Sequence, residues 1–463
     1  MRRRGLPALV TGGILLAGFG FSLAVNWPGH LSYDSVMQLW EGRTGLYNNW
    51  HPPVMAWLLG AFDRLSPGAA LFMAFDAVLG FGSFLALTWL YPRISWAAAA
   101  VAALAILTPQ MLLYQGLVWK DVLFANAGVA GFVCLAWAAR AWLRPRLRYG
   151  LIAGSAVLLV LAALARQNGV LLLVAGAGAL GWIAAIHASE NKRRAAAKYG
   201  AGFLFAGLAA AAAATAALDT RLYDHTGPSM QLERLEGYDI IGALTLDPKL
   251  RFAAIERGDP LLDERMRELG VRFYNPERSD TLLYSPALQS ALLNAKPGVV
   301  ERGWRELIVQ YPWTYLRVRA DVFRWVFLTP DLMLCVPYYT GVDGPPDEMR
   351  HLGLAERYDN RDEALGEYAN KFAGTPVFSH AAWGAIAAAA FVLLLRRRKP
   401  ADIAIVAMLA GAMLCTLSFF VISIACDYRY LYLLDLSALV ALFYLALDLS
   451  GLRLRNWRRV KPF

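Results

Sequence analysis

The chain has 463 residues, of which 58% are hydrophobic and only 17% charged, with a mean hydropathy of +0.41. That composition excludes an ordinary soluble protein and marks a polytopic membrane protein. A formal charge of +10 would suggest nucleic acid or an anionic surface in a soluble chain; in a membrane protein it marks cytoplasmic loops, so no nucleic-acid partner is expected.

A bilayer core of about 30 Å needs about 20 apolar residues per helix. On that criterion the sequence predicts ten spans, at about 5–26, 69–90, 94–114, 121–142, 149–166, 168–187, 198–218, 374–395, 401–424 and 431–450. The first follows Arg2 to Arg4 but is longer than the apolar part of a signal peptide. No small-residue cleavage site precedes Asn26-Trp27-Pro28, so it reads as a span. A cytoplasmic N-terminus puts Arg2 to Arg4, Arg93, Arg140/Arg144/Arg146/Arg148, Lys192/Arg193/Arg194/Lys198, Arg396 to Lys399 and the basic C-terminal tail on one side. These are 21 of the 45 basic residues, whereas the short loops opposite hold only Arg43, Arg64, Lys120, Arg166 and Arg429. Both termini are therefore expected in the cytoplasm.

The expected fold class is an all-α polytopic membrane protein with three parts. Residues 1–218 form a seven-span module with a first outer loop, 27–68, whose apolar piece 54–62 is too short to cross and is expected along the interface. Residues 219–373 form a mainly helical outer domain with 25 acidic and 19 basic residues. Helical spacing recurs there around 261–269, 286–294 and 300–326. The last stretch, with Trp304, Trp313, Tyr315 and Trp325 beside Arg317, Arg319 and Arg324, reads as an amphipathic pair resting on the membrane. Residues 374–463 supply three spans and the basic tail. Cys134 and Cys415 sit in apolar runs and Cys335 and Cys426 outside them, without CxxC or ligand spacing. No internal repeat is visible.

Three polar clusters fall on the outer side. The first runs from Gly29 through His30, Tyr33, Asp34, Ser35 and Gln38 to Trp40, followed by His51-Pro52-Pro53. Asp34 suits a general base if burial tunes it toward neutral pH; alternatively it caps a helix over 35–41. The second is Trp119-Lys120-Asp121, read either as an interface anchor with an N-cap or as a phosphate-binding lysine beside a carboxylate that orients it or holds a divalent metal. The third pairs Arg166-Gln167-Asn168 with Cys426-Asp427-Tyr428-Arg429-Tyr430. One arginine alone reads as a snorkelling residue, but Lys120, Arg166 and Arg429 at one face with Asp34 read as an anion site. Asp76 and Asp435 lie inside spans and carry a competing idea, an ion or proton pathway. His30 and His51 lack a nearby ligand pair, and His187, His225, His351 and His380 are scattered, so no zinc site is expected.

Several of these residues also form an ordered pattern. Trp27-Pro28-Gly29, Asp34-Ser35, Gln38, Gly45 and His51-Pro52 come first, and Lys120-Asp121 follows. Tyr274-Asn275-Pro276 then precedes Asp280, Trp304 leads through Tyr311-Pro312 and Tyr315-Leu316 to Arg319, and Arg429-Tyr430 closes the series. This series resembles the bacterial integral-membrane glycosyltransferases of the GT-C superfamily, along nearly the whole chain. The resemblance implies a bacterial cytoplasmic membrane, two large periplasmic loops, and transfer from a polyprenyl-phosphate sugar donor to a lipid, glycan or protein hydroxyl. Carried over by position, Asp34 is the base, with Asp121 as a second acid. Lys120, Arg166 and Arg429 hold the donor phosphate, while Tyr33, Gln38, His51 and Tyr430 position substrate. Tyr33-Asp34-Ser35 departs from the paired acidic motif of some members, so no cofactor is assigned and a divalent metal is left open. A transporter or flippase of a lipid-linked glycan, or a surface-glycan ligase or polymerase, are the alternative functions.

Overall fold

Backbone polar groups in hydrocarbon must be satisfied within their own segment, and the apolar runs of this sequence do so as helices. The computed structural model describes residues 5–48, 50–219 and 230–449. The Arg2 to Arg4 cluster, His225 and the basic C-terminal tail lie outside them. Among the described residues nine helices are long and apolar enough to cross a membrane: Leu6–Asn26, Ala70–Thr88, Lys120–Arg140, Pro145–Ala165, Gln167–His187, Lys192–Asp219, His380–Arg397, Pro400–Ile422 and Tyr428–Leu447. Lys120–Arg140 and Tyr428–Leu447 are the most enclosed of these and form the centre of the bundle.

The span expected over 94–114 differs. It is broken into Ala97–Ile106 and Pro109–Gly116, which meet at 75°, and the count reaches ten only if this pair is one span. Thr108 is extended (φ −88°, ψ 146°) because the ring of Pro109 disfavours helical backbone before it and supplies no N–H. The bend frees the Leu112 carbonyl, which accepts from Ser22 Oγ at 2.9 Å and Asn26 Nδ2 at 2.8 Å. The chain then runs back toward the centre as Tyr114–Gly116.

The first loop carries two helices, Tyr33–Thr44 and Val54–Leu65. They cross so closely that a Cβ built on either Gly42 or Gly60 would sit 2.1 Å from the other helix's backbone. Only glycine permits that approach. Arg43 ties the pair to Asp63 through two hydrogen bonds of 2.6 and 2.8 Å, and donates a third to the Leu352 carbonyl. The Val54–Leu65 helix, expected at the interface, buries Met55, Leu59 and Asp63 while Trp57 and Leu65 stay exposed.

The segment expected as one domain divides by the core it joins. Residues from Tyr238 to Val322 build their own cluster around Ile240, Phe252, Met266, Leu288 and Leu307. Val342, Met349, Leu352 and Leu365 instead join the core of the bundle. The expected helices appear as Pro260–Arg265 running on through Met266–Gly270, Pro286–Leu293, and the pair Val299–Gln310 and Pro312–Leu328. On that pair Trp313 and Val309 are exposed, as an interfacial helix requires, but Arg319 is fully buried. It bonds Asp239 at 2.8 Å and donates to the Phe420 and Ser423 carbonyls, capping the end of Pro400–Ile422.

Candidate functional site

The first loop is fixed to the bundle before it presents Asp34. His30 donates its backbone N–H to the Gly116 carbonyl at 2.9 Å and accepts from Val118 N at 3.1 Å, so the loop lies along the segment that follows the broken helix. Its ring is held between Asn26 Oδ1, at 2.9 Å, and the Gly341 N–H, at 3.0 Å. Ser35 Oγ donates to the Val118 carbonyl at 2.7 Å. Ser32 then takes the N-cap position of the helix Tyr33–Thr44, its hydroxyl accepting from Trp119 Nε1 at 2.9 Å, with Asp34 in the first turn. Asp34 is therefore not the cap; its carboxylate is free to face the bundle.

What it faces is Arg429, whose Nη2 donates to Asp34 Oδ2 at 2.7 Å. Arg429 also reaches Asp427 at 3.1 Å and Asp121 at 3.7 Å, and its guanidinium lies 4.9 Å over the Trp119 ring. Asp121, in the first turn of Lys120–Arg140 and buried, forms a second ion pair with Arg166. Arg166 and Arg429 lie 5.0 and 5.9 Å from the Tyr430 ring, and Phe419, stacked on that ring, is itself 4.9 Å from the Arg166 guanidinium. Neither arginine snorkels: each side chain is mostly buried. Lys120 Nζ donates to His51 Nδ1 at 2.7 Å, leaving the ring proton on Nε2, 3.7 Å from Asp34 Oδ1.

Electrostatics follow from these contacts. Burial pushes the Asp34 carboxyl up, but the charge of Arg429 and the contact with His51 together outweigh it and hold Asp34 well below the usual carboxylate range. Burial, then the charge of Lys120, pull His51 down to about 4, so its ring is neutral at pH 7. The tuning of Asp34 toward neutrality expected from the sequence is thus reversed, because its nearest partner is a cation.

The residues picked from sequence fall into three groups. Asp34, Lys120, Asp121, Arg166, Arg429 and His51 form one connected network at one end of the bundle. Tyr33 lines the cleft over it, about 210 Å³ in volume, with Ser32, Trp119 and Arg429. Gln38 stands apart, buried one turn beyond Asp34, while Tyr430 sets its ring against the guanidiniums of Arg166 and Arg429. Asp76 accepts from Asn126 at 3.0 Å, and Asp435 is held by His380 at 2.8 Å and Tyr428 at 2.6 Å.

Sequence reasoning missed Arg278, Val336 and Tyr339, which also line the cleft, and gave no role to Asp427, which lines it too. It also missed the disulfide between Cys335 and Cys426. That bond joins the segment before Val336 to the turn bearing Asp427 and Arg429. Two cysteines outside predicted spans and 91 residues apart were the available signal. No family model, curated protein or solved structure matches the chain.

Proposed function

We propose that this protein is an inverting glycosyltransferase that moves a sugar from a polyprenyl-phosphate donor to an acceptor hydroxyl at the periplasmic face of a bacterial cytoplasmic membrane. The observation that carries the reading is the convergence of Lys120, Arg166 and Arg429 with Asp34 and Asp121, from four separate stretches of chain, beside a cleft at one end of an apolar bundle. The charge asymmetry of the loops supports a non-cytoplasmic position for that end, and the disulfide suits an oxidising compartment.

The chemistry divides among the residues. The acceptor oxygen attacks the anomeric carbon while its proton passes to Asp34; the bond from that carbon to the phosphate oxygen breaks, and polyprenyl phosphate leaves. Negative charge grows on the phosphate, where fixed cations in a poorly screened site stabilise it. Arg429 is the central cation because it already bonds an anion, Asp34. A donor phosphate competes for that guanidinium, and its binding releases Asp34 to act as base. Asp121 holds Arg166 and Arg429 in place and so acts as a positioning residue. The transporter alternative rests on Asp76 and Asp435, but side chains of the bundle engage both.

The test is transfer of labelled sugar from a polyprenyl-phosphate donor by purified protein. Asp34→Asn is expected to lower kcat by about 10²- to 10⁴-fold with the fold intact; full activity in that variant removes the proposed base. Proton- or ion-coupled uptake into liposomes, lost in Asp76→Asn but kept in Asp34→Asn, would favour a transporter instead.

A further inference from the structure

A second cavity adjoins the Asp34 cleft. It measures about 380 Å³, within the range of small-ligand sites, and is lined by Tyr338, Tyr339, Thr340, Asp343, Glu356 and Tyr358. Tyr339 borders both spaces and is the wall they share. A Cβ placed on Gly366 would lie 3.8 Å from the Tyr358 hydroxyl, 3.9 Å from Thr340 Oγ1 and 3.9 Å from the Tyr338 ring, which shows how closely these groups gather. Tyr338 is oriented from behind, its hydroxyl 3.0 Å from the Gly366 carbonyl and 2.8 Å from Asn370 Oδ1.

The wall of this cavity and the loop bearing Asp34 are one unit. Leu31 N donates to the Gly341 carbonyl at 3.0 Å, Asp343 N to the Leu31 carbonyl at 3.0 Å, and Val342 and Arg357 exchange both backbone bonds at 2.8 and 3.0 Å. Three short extended segments thus lie side by side, three residues from Asp34. Gly341 allows this, since its φ of +95° suits glycine and a Cβ there would meet the Arg357 carbonyl at 2.3 Å.

We infer that this cavity is the acceptor subsite and that the acceptor it takes is the end of a neutral saccharide, an assignment that rests on the glycosyltransferase reading. Tyrosine rings offer apolar faces to the C–H faces of a sugar ring and hydroxyls to its rim. Asp343 and Glu356 accept hydrogen bonds from sugar hydroxyls. The remaining charge, Arg357, is already engaged by Asp362 at 3.1 Å and by the Gly29 carbonyl at 3.2 Å, so the lining is net acidic and rejects anionic ligands. A fatty or isoprenoid acceptor gains little from such polar walls. A saccharide seated here extends one hydroxyl past Tyr339 toward Asp34, which takes its proton as the new glycosidic bond forms.

Full-length protein in lipid nanodiscs tests this with four trisaccharides, of glucose, mannose, galactose and N-acetylglucosamine, beside decanol and a serine- and threonine-containing hexapeptide. Saturation-transfer NMR is expected to show saturable binding of at least one trisaccharide. Tyr358→Ala, and Asp343→Asn combined with Glu356→Gln, should each weaken it at least tenfold; Tyr358 is 65% exposed, so its loss leaves the fold in place. Absence of trisaccharide binding, binding of the alcohol or peptide alone, or saccharide binding untouched by both variants overturns the assignment. Hydrolysis of the polyprenyl-phosphate sugar, measured in parallel without acceptor, separates the two readings. Hydrolysis without saccharide binding removes the subsite and keeps the transferase. Saccharide binding with neither hydrolysis nor transfer keeps a sugar site and removes the transferase.

Discussion

Replacing Arg429 by glutamine tests the electrostatic arrangement around Asp34. The two side chains meet at 2.7 Å, with the centres of charge about 4 Å apart. At an effective dielectric near 20, unit charges at about 4 Å attract by about 4 kcal/mol, or about three pKa units. Asp34 keeps a third of its side-chain surface open at the cleft mouth, so screening trims this to about two units. In the parent protein Asp34 is ionised far into the acid range and His51 titrates at about 4. Neither changes charge between pH 5 and 8, and kcat/KM for sugar transfer is expected to be flat there. In Arg429→Gln the downward pull of the arginine is lost and Asp34 rises by about two units, from so far into the acid range that it stays ionised at pH 5. Activity should then fall by a similar factor at every pH from 5 to 8, about 10- to 100-fold, from the missing charged hydrogen bond to phosphate. The assay is initial transfer rate below the donor KM from pH 5 to 9. A loss markedly larger at pH 5 than at pH 8 refutes the argument.

Other consequences concern stability. Burial pushes Glu41 up to about 7 despite its bond from Asn48. Because its folded value is raised, the penalty is absent below about pH 4, grows as pH rises to 7 and stays constant above; Glu41→Gln should raise Tm at pH 8 by relieving up to about 3 kcal/mol, and do nothing at pH 4. Arg319→Leu leaves Asp239 buried without its cation and should cost about 3–5 kcal/mol, seen as lost expression or a lower Tm, while adding Asp239→Asn restores part of it. A double Cys335→Ser, Cys426→Ser variant frees a 91-residue loop and should lose up to about 4 kcal/mol, with a matching loss of transfer in the parent protein under reductant.

Most of the bundle was legible because lipid leaves a long apolar run few options; boundaries from Leu6–Asn26 to Tyr428–Leu447 fall within a few residues of those drawn from hydropathy, apart from the starts at Pro145, Lys192 and His380. The span at 94–114 misled because hydropathy averages over Pro109, whose effect is stereochemical and invisible to a window of polarity. Five cationic and anionic positions of the site stood out because basic residues are scarce in the short loops on that side of the sequence. Tyr339, Val336 and Arg278 did not, since nothing in their local spacing distinguishes cleft lining from ordinary loop. Arg319 read as a surface cation by helical spacing, yet it faces inward, where Asp239 from a distant helix waits for it.

The network that joins Asp34 to Arg429 closes over 395 residues of sequence. Arg429 lies at the start of Tyr428–Leu447, so the ribosome has made the eight other spans named above before Arg429 exists. Until then Asp121 has only Arg166 to answer its charge and Asp34 has no arginine at all. A chain stopped short of that span therefore lacks Arg429, and the pairing of Asp34 waits until both ends of the network are made.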